Sequence, residues 1–284
     1  MAAVREIEQF LYTWAPRELA AGWDNVGLLV GDPDREVTRI LVALDVTRAV
    51  ADEAARLGAE LIVAHHPVMN VRWHEQEMQT LRDDTRLGGL LTYLVRHDLS
   101  AICMHTDLDA AEGGVNEVLA GIFGMRDWEV FADGCGRVGE VEPITVPELA
   151  RKAQAVLGGR CNRPRSGPAV QVKFADSGKT VKRLAVISGA GGSMFEDALA
   201  VGADCLLTGE ANHHAAIDAV RLGLSLELGV EAPVLRSIAR TAAAEDLIKL
   251  KSALEERLAE SMPLTTQLGG CRGKEEKVES GFLI

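Results

Sequence analysis

With 284 residues, 47% of them apolar and 25% charged, the chain has room for one large α/β domain or two smaller lobes around a substantial core. A net charge of −12 and an aromatic share of 4% exclude general nucleic-acid binding: phosphates would be repelled, and few rings are on hand to stack on bases. The N-terminus has early charges and no apolar run of signal length, and no stretch reaches the ~20 apolar residues that span a bilayer, so a soluble, cytoplasmic protein is expected.

Residues 4–13 read as a short amphipathic helix, followed by a Pro/Gly/Asp-rich segment in which Val26 to Val30 form a strand between two turns. A β-α-β rhythm comes next: strand 39–46, helix 49–58 closed by Gly58 as its C-cap, and strand 59–66. A polar loop covers 70–83, then a helix 87–98, a strand 100–107, a Gly-Gly turn and a helix 114–124. Residues 125–180 look less regular, with a helix at 146–159 and a hairpin or loop over 160–180. The rhythm resumes with strand 181–188, a GAGGS turn, helix 194–202, strand 203–209 and helix 213–223. A helical stretch over 233–261 leads to a polar tail whose last residues, roughly 15, are expected to lack fixed structure. Short apolar strands separated by helices imply an α/β fold: two lobes of mostly parallel sheet covered by helices, with sites at the carboxyl ends of strands. The first lobe is set at 1–130, the second at 131–240, and 241–284 is a divergent C-terminal part.

Five of the seven histidines fall in three motifs at strand ends: His65 and His66, His105, and His213 and His214. Neighbouring strand residues point to opposite faces, so both members of AHHP cannot enter one core, but at the last residues of a strand both can converge on metal ions. On its own the pair can also be one capped and one exposed histidine. In HTDLDAAEGG, Asp107 and Asp109 lie near a strand mouth, where a carboxylate can bind or bridge cations; a turn or helix-cap role is the plainer reading for Asp107. In TGEANHH, His213 and His214 open a helix as ligands, acids and bases, or polar caps. GAGGS is either a phosphate cradle or, more simply, a tight turn. The scattered Cys103, Cys135, Cys161, Cys205 and Cys271 form no CxxC pair and read mostly as buried small hydrophobes.

Together, AAGWDNVGLLVGDP (20–33), AHHPV (64–68), HTDLDAAEGGVNE (105–117), GRVGE (136–140), VISGAGGS and TGEANHH resemble the NIF-three-like dinuclear-metal-centre proteins, often labelled GTP cyclohydrolase I type 2 homologs. The resemblance implies a two-lobed α/β fold assembled as a hexameric ring, with two divalent metal ions (Fe, Zn, Mn or Ni) per chain. It implies His65, His66 and Asp109 as metal ligands, with Glu231 aligning to the glutamate of a late GHxxxE element. Asp24 and Asn25 of WDN become substrate-contact residues or supports of the site, and His213 and His214 candidate acids and bases. Here the chain departs from the pattern. Around Gly229 it reads LELGVEAPVL, without the histidine and about three neighbours, which shortens the loop by about 10–14 Å of extended chain. His214, His105 or Glu227 are the candidate replacements. The expected activity is metal-dependent hydrolysis of a nucleotide such as GTP or another small polar substrate; the competing reading is a metal-binding oligomeric scaffold or metal chaperone without turnover.

Overall fold

A computed structural model of the chain describes residues 2–69, 80–160, 172–229 and 282–283. Most of the loop at 70–83, the segment 161–171, the helix read over 233–261 and most of the tail lie outside the described residues, as do Glu231, Cys161 and Cys271. The described residues form two compact units that divide between Leu108 and Asp109. None of their helices is long and apolar enough to cross a membrane.

The first unit runs β1 (Ala2–Ala3), α1 (Val4–Trp14), β2 (Gly27–Val30), β3 (Glu36–Val37), β4 (Ile40–Asp45), α2 (Arg48–Leu57), β5 (Leu61–His66), α3 (Arg86–Arg96) and β6 (Ser100–Cys103). β1 and β3 make a small antiparallel ribbon. In the main sheet β4, β5 and β6 are parallel neighbours, and β2 joins β6 antiparallel at one edge. At the other edge β13 (Phe282–Leu283) pairs antiparallel with β4, so two residues of the tail are ordered as a strand after all. The central strands are continuous apolar runs because both their faces are covered. Val50, Ala51 and Ala54 of α2 and Leu91 and Leu94 of α3 pack against Leu41, Ile62 and Ala64. Thr47 Oγ1 accepts from the Val50 N–H to start α2, and Gly58 ends it at φ 68°, a left-handed conformation that favours glycine.

α4 (Thr106–Ala110) crosses the division, where a strand to residue 107 was expected. The strand stops at Cys103 because side chains take over the next backbone donors: Asp107 Oδ1 accepts from the N–H of His105 and of Leu108, and Asp24 Oδ2 from that of Thr106.

The second unit runs α5 (Val115–Phe123), β7 (Arg126–Phe131), β8 (Gly136–Thr145), α6 (Val146–Arg160), β9 (Val172–Ala175), β10 (Thr180–Ile187), α7 (Phe195–Ala200), β11 (Cys205–Thr208), α8 (His213–Arg221) and β12 (Ser225–Gly229). Its sheet has the order β7-β8-β10-β11-β12-β9, with a parallel centre, β10, β11 and β12, flanked by antiparallel strands. The architecture is α/β as expected, with mixed sheets covered by helices. The region read as irregular holds the β7–β8 hairpin. β7 is an edge strand with five exposed residues, so it lacks the apolar pattern of a buried strand and owes its order to its ladder with β8.

The GAGGS segment is the tight turn of its two readings. The Gly191 N–H donates to Thr208 Oγ1 and the Gly192 N–H to the Glu210 carbonyl, so these donors are used within the fold. A Cβ on Gly191 would collide with the Ile187 side chain, and one on Gly192 with Ala211.

Glu227 of β12 is fully buried, and neither carboxyl oxygen has a hydrogen-bond partner among the described residues. Burial pushes its carboxyl up to about 8 from an ordinary 4.5. The protonated form therefore stabilises the fold fully below pH 4.5, and that contribution is lost as pH rises through about 8. Thermal melting of Glu227→Gln should match the native protein at about pH 5 and exceed it at about pH 9. Parallel pH profiles for the two proteins would refute this assignment.

Candidate metal centre

The parallel register of β4 and β5 pairs Asp45 with His66 at the carboxyl ends of both strands. There the His66 Nδ1–H donates to Asp45 Oδ1 at 2.7 Å. A carboxylate only accepts, so Nδ1 holds the hydrogen and Nε2 keeps its lone pair. His65, one residue earlier, is buried at 6% exposure, and its carbonyl accepts from Cys103 Sγ at 2.9 Å. Burial raises the Cys103 thiol well above its ordinary range, so it stays a neutral donor.

His105 follows β6 and is the third member. Its Nδ1–H is shared between the two oxygens of Asp24, at 3.0 and 2.9 Å, which again frees Nε2. Asp24 also accepts from the Thr106 N–H at 3.1 Å and from Thr106 Oγ1 at 2.6 Å. Burial alone would raise the Asp24 carboxyl, but the hydrogen bonds from His105 and Thr106 hold it well below the usual carboxylate range. These contacts let Asp24 hold the His105 ring in place. The Asp24 side chain is fully buried against His105, and Asn25 Nδ2 donates to the Met69 carbonyl, tying this loop to the segment after AHHP. Trp23 lies edge-on to His105 with ring centroids 6.2 Å apart.

The three imidazoles form a near-equilateral triangle, with ring centroids separated by 5.1, 5.2 and 5.6 Å. One ring nitrogen from each lies within 4.8 Å of the others, a grouping that can hold a metal ion. Two rings arrive with their tautomers set by carboxylates, the arrangement metal-binding histidines commonly show. This donor set suits zinc, iron or nickel. Asp107 is fully buried, with Oδ1 occupied by backbone N–H groups and its carboxyl pushed up to about 6 mainly by burial. That is the turn role read from its position.

The other candidates belong to the second unit. Asp109 Oδ1 accepts from Ser188 Oγ at 3.0 Å. His213 and His214 begin α8 as exposed residues 5.8 Å apart by ring centroids, behind Asn212, whose Oδ1 accepts from the Ala215 N–H. Glu227 is buried in its sheet, and His105 is grouped with His65 and His66. Asp45 was missed, and its only sequence signal is its place at the end of an apolar strand. Cys103 and Cys205 are buried free thiols, as read, while Cys135 is partly exposed.

Fold and site together define an α/β protein with two compact units and a histidine cluster at the carboxyl ends of a parallel sheet core. The chain belongs to the Duf34/NIF3 (NGG1p interacting factor 3) family, which matches residues 2–231. A Clostridium perfringens (strain 13 / Type A) protein described as a GTP cyclohydrolase 1 type 2 homolog is 33% identical over 257 residues, covering 86% of this chain and 88% of its own. The crystal structure of Staphylococcus aureus hypothetical protein SA1388 superimposes with a TM-score of 0.71 at 26% identity, covering 89% of this chain and 93% of that one. That of the Bacillus cereus protein related to NIF3 gives 0.73 at 20% identity, covering 90% and 94%, a likeness of fold.

Replacing Asp45 by Ala removes the acceptor that orients His66 from a half-exposed position, where the fold should tolerate it. Metal affinity, read by competition with a chromophoric chelator, should fall about 10–100-fold. Asp45→Asn, whose carbonyl still accepts from Nδ1–H, should lose less. Native affinity in both variants would show that Asp45 does not orient a ligand.

Proposed function

We propose that the protein is a metal-dependent hydrolase-like member of its family, acting on a nucleotide such as GTP or a related small polar substrate. The observation that carries this reading is the convergence of His65, His66 and His105, with two carboxylates behind them. Divalent cations held there would supply Lewis-acid stabilisation of developing negative charge and lower the pKa of a nearby water. His65, His66 and His105 would bind through imidazole nitrogen, with Asp109 and Glu231 adding the carboxylates that a second ion needs. Asp45 and Asp24 would keep two of the rings in the ligating tautomer, and Trp23 and Asn25 would form the substrate-side wall near His105. His213 and His214, exposed at the start of α8, are the proposed proton donor and acceptor. The C. perfringens relative's description as a GTP cyclohydrolase 1 type 2 homolog supports GTP as the first substrate to test. By the same resemblance we propose a cytoplasmic homohexamer.

The shortened element at Gly229 favours a second reading, a metal-binding scaffold or metal chaperone without turnover, because a site short of one ligand can retain an ion without completing chemistry. Elemental mass spectrometry of the purified full chain, beside His66→Ala, tests the centre. About two ions per chain, lost in the variant, is the outcome a dinuclear site requires. One ion or none would sink it. Metal-dependent release of product from GTP, abolished in His66→Ala with the fold intact, separates the enzyme from the scaffold.

A further inference from the structure

Around the Asp24 carboxylate the shortest hydrogen bond comes from the threonine of HTDLD. Thr106 Oγ1 donates to Oδ2 at 2.6 Å, the length of a charge-assisted O–H···O bond. The Thr106 N–H donates to the same oxygen at 3.1 Å, and the Asn25 N–H to Oδ1 at 2.8 Å. His105 Nδ1 lies between the two oxygens, 2.9 Å from Oδ2 and 3.0 Å from Oδ1. The Thr106 hydroxyl gives its one proton to Asp24, so it can only accept elsewhere, and it does so from the Ala21 N–H at 2.9 Å. The Ala21 carbonyl in turn accepts from the Asp24 N–H at 2.8 Å. A closed ring of contacts therefore runs from Thr106 through Ala21 to Asp24 and back. Every member belongs to the first unit, and Thr106 and the Asp24 side chain are both buried.

The terminal torsion of an aspartate is soft, so an imidazole N–H alone would leave the carboxylate plane free to swing. A second donor with a fixed direction removes that freedom. The Thr106 hydroxyl is such a donor, because a β-branched side chain is stiff at χ1 and the Ala21 N–H holds its oxygen from the other side. We propose that Thr106 is a positioning residue for His105: its hydroxyl fixes the plane of the Asp24 carboxylate, and through it the angle at which the imidazole meets a cation. This rests on the reading of His105 as a metal ligand beside His65 and His66. It also gives the threonine of HTDLD a role distinct from that of Asp107, whose Oδ1 accepts from backbone N–H groups.

The test uses the full-length chain, stripped by a chelator and titrated with Zn2+ against a chromophoric competitor. His105→Ala tests the underlying reading and should weaken binding more than any Thr106 variant does. Thr106→Val, close in shape but without the hydroxyl, should bind Zn2+ about 10-fold more weakly. Thr106→Ser, which keeps the hydroxyl, should recover most of that loss. His105→Ala/Thr106→Val should be no weaker than His105→Ala alone, because the hydroxyl acts only through that ring. Thr106→Val also takes the acceptor from the Ala21 N–H, so its metal-free form should melt below the native protein, and all titrations are run well below that melting temperature. If Thr106→Val does not fold, Thr106→Cys, a weaker donor, replaces it and should also bind Zn2+ more weakly than native. Native affinity in His105→Ala would overturn the ligand reading and this role with it. Loss in His105→Ala with native affinity in Thr106→Val or its replacement, no recovery in Thr106→Ser, or additive losses in the double variant would overturn the positioning role alone.

Discussion

The register between β4 and β5 sets Asp45 beside His66, and the geometry of the histidine cluster depends on that pairing. Parallel strands that end together bring their last side chains to one edge of the sheet. The two apolar strands are covered on both faces, so a slip by one residue would turn every buried side chain to the wrong face. The core thus holds the register, and the register holds the carboxylate to the imidazole. His105 reaches the same edge from β6, where Asp24 secures it from a loop that leads into β2.

Buried polar groups in this protein fall into two kinds. Asp24, Asn116 and Arg137 are satisfied by several hydrogen bonds each and brace His105 and the backbone at Asp109 and Ala110. Satisfied networks of this sort narrow the positions available to the groups they hold. Glu227 is of the other kind. Its carboxyl sits in an apolar sheet environment, and burial keeps it protonated far above its ordinary range. It behaves as a structural group whose charge state couples the fold to pH, well apart in character from the clustered histidines.

The glycines and the Asp/Asn residues of the motifs also divide by physical role. Gly191 and Gly192 are small because neighbouring side chains and backbone come too close for a Cβ. Asp107 and Asn212 spend their side chains on backbone N–H groups at helix starts and turns. These are the residues whose types match a functional motif while their contacts belong to local structure.

Much was legible in one dimension. The apolar runs 39–46 and 59–66, the Gly58 cap and the position of AHHP at a strand end followed from periodicity and stop signals, which depend on local covalent geometry and on burial of whole strands. The family followed from the order of several motifs along the chain. The β7–β8 hairpin was not legible, because an exposed edge strand takes its order from a partner and carries no pattern of its own. The strand end at Cys103 was decided by Asp24, 79 positions before Cys103, and by Asp107, whose carboxylates claim the next backbone donors. Only the tertiary structure could assign Asp45 to His66, Asp24 to His105 and Ser188 to Asp109. Each of these hydrogen bonds joins residues far apart in sequence, and its existence depends on sheet register, which no residue type announces.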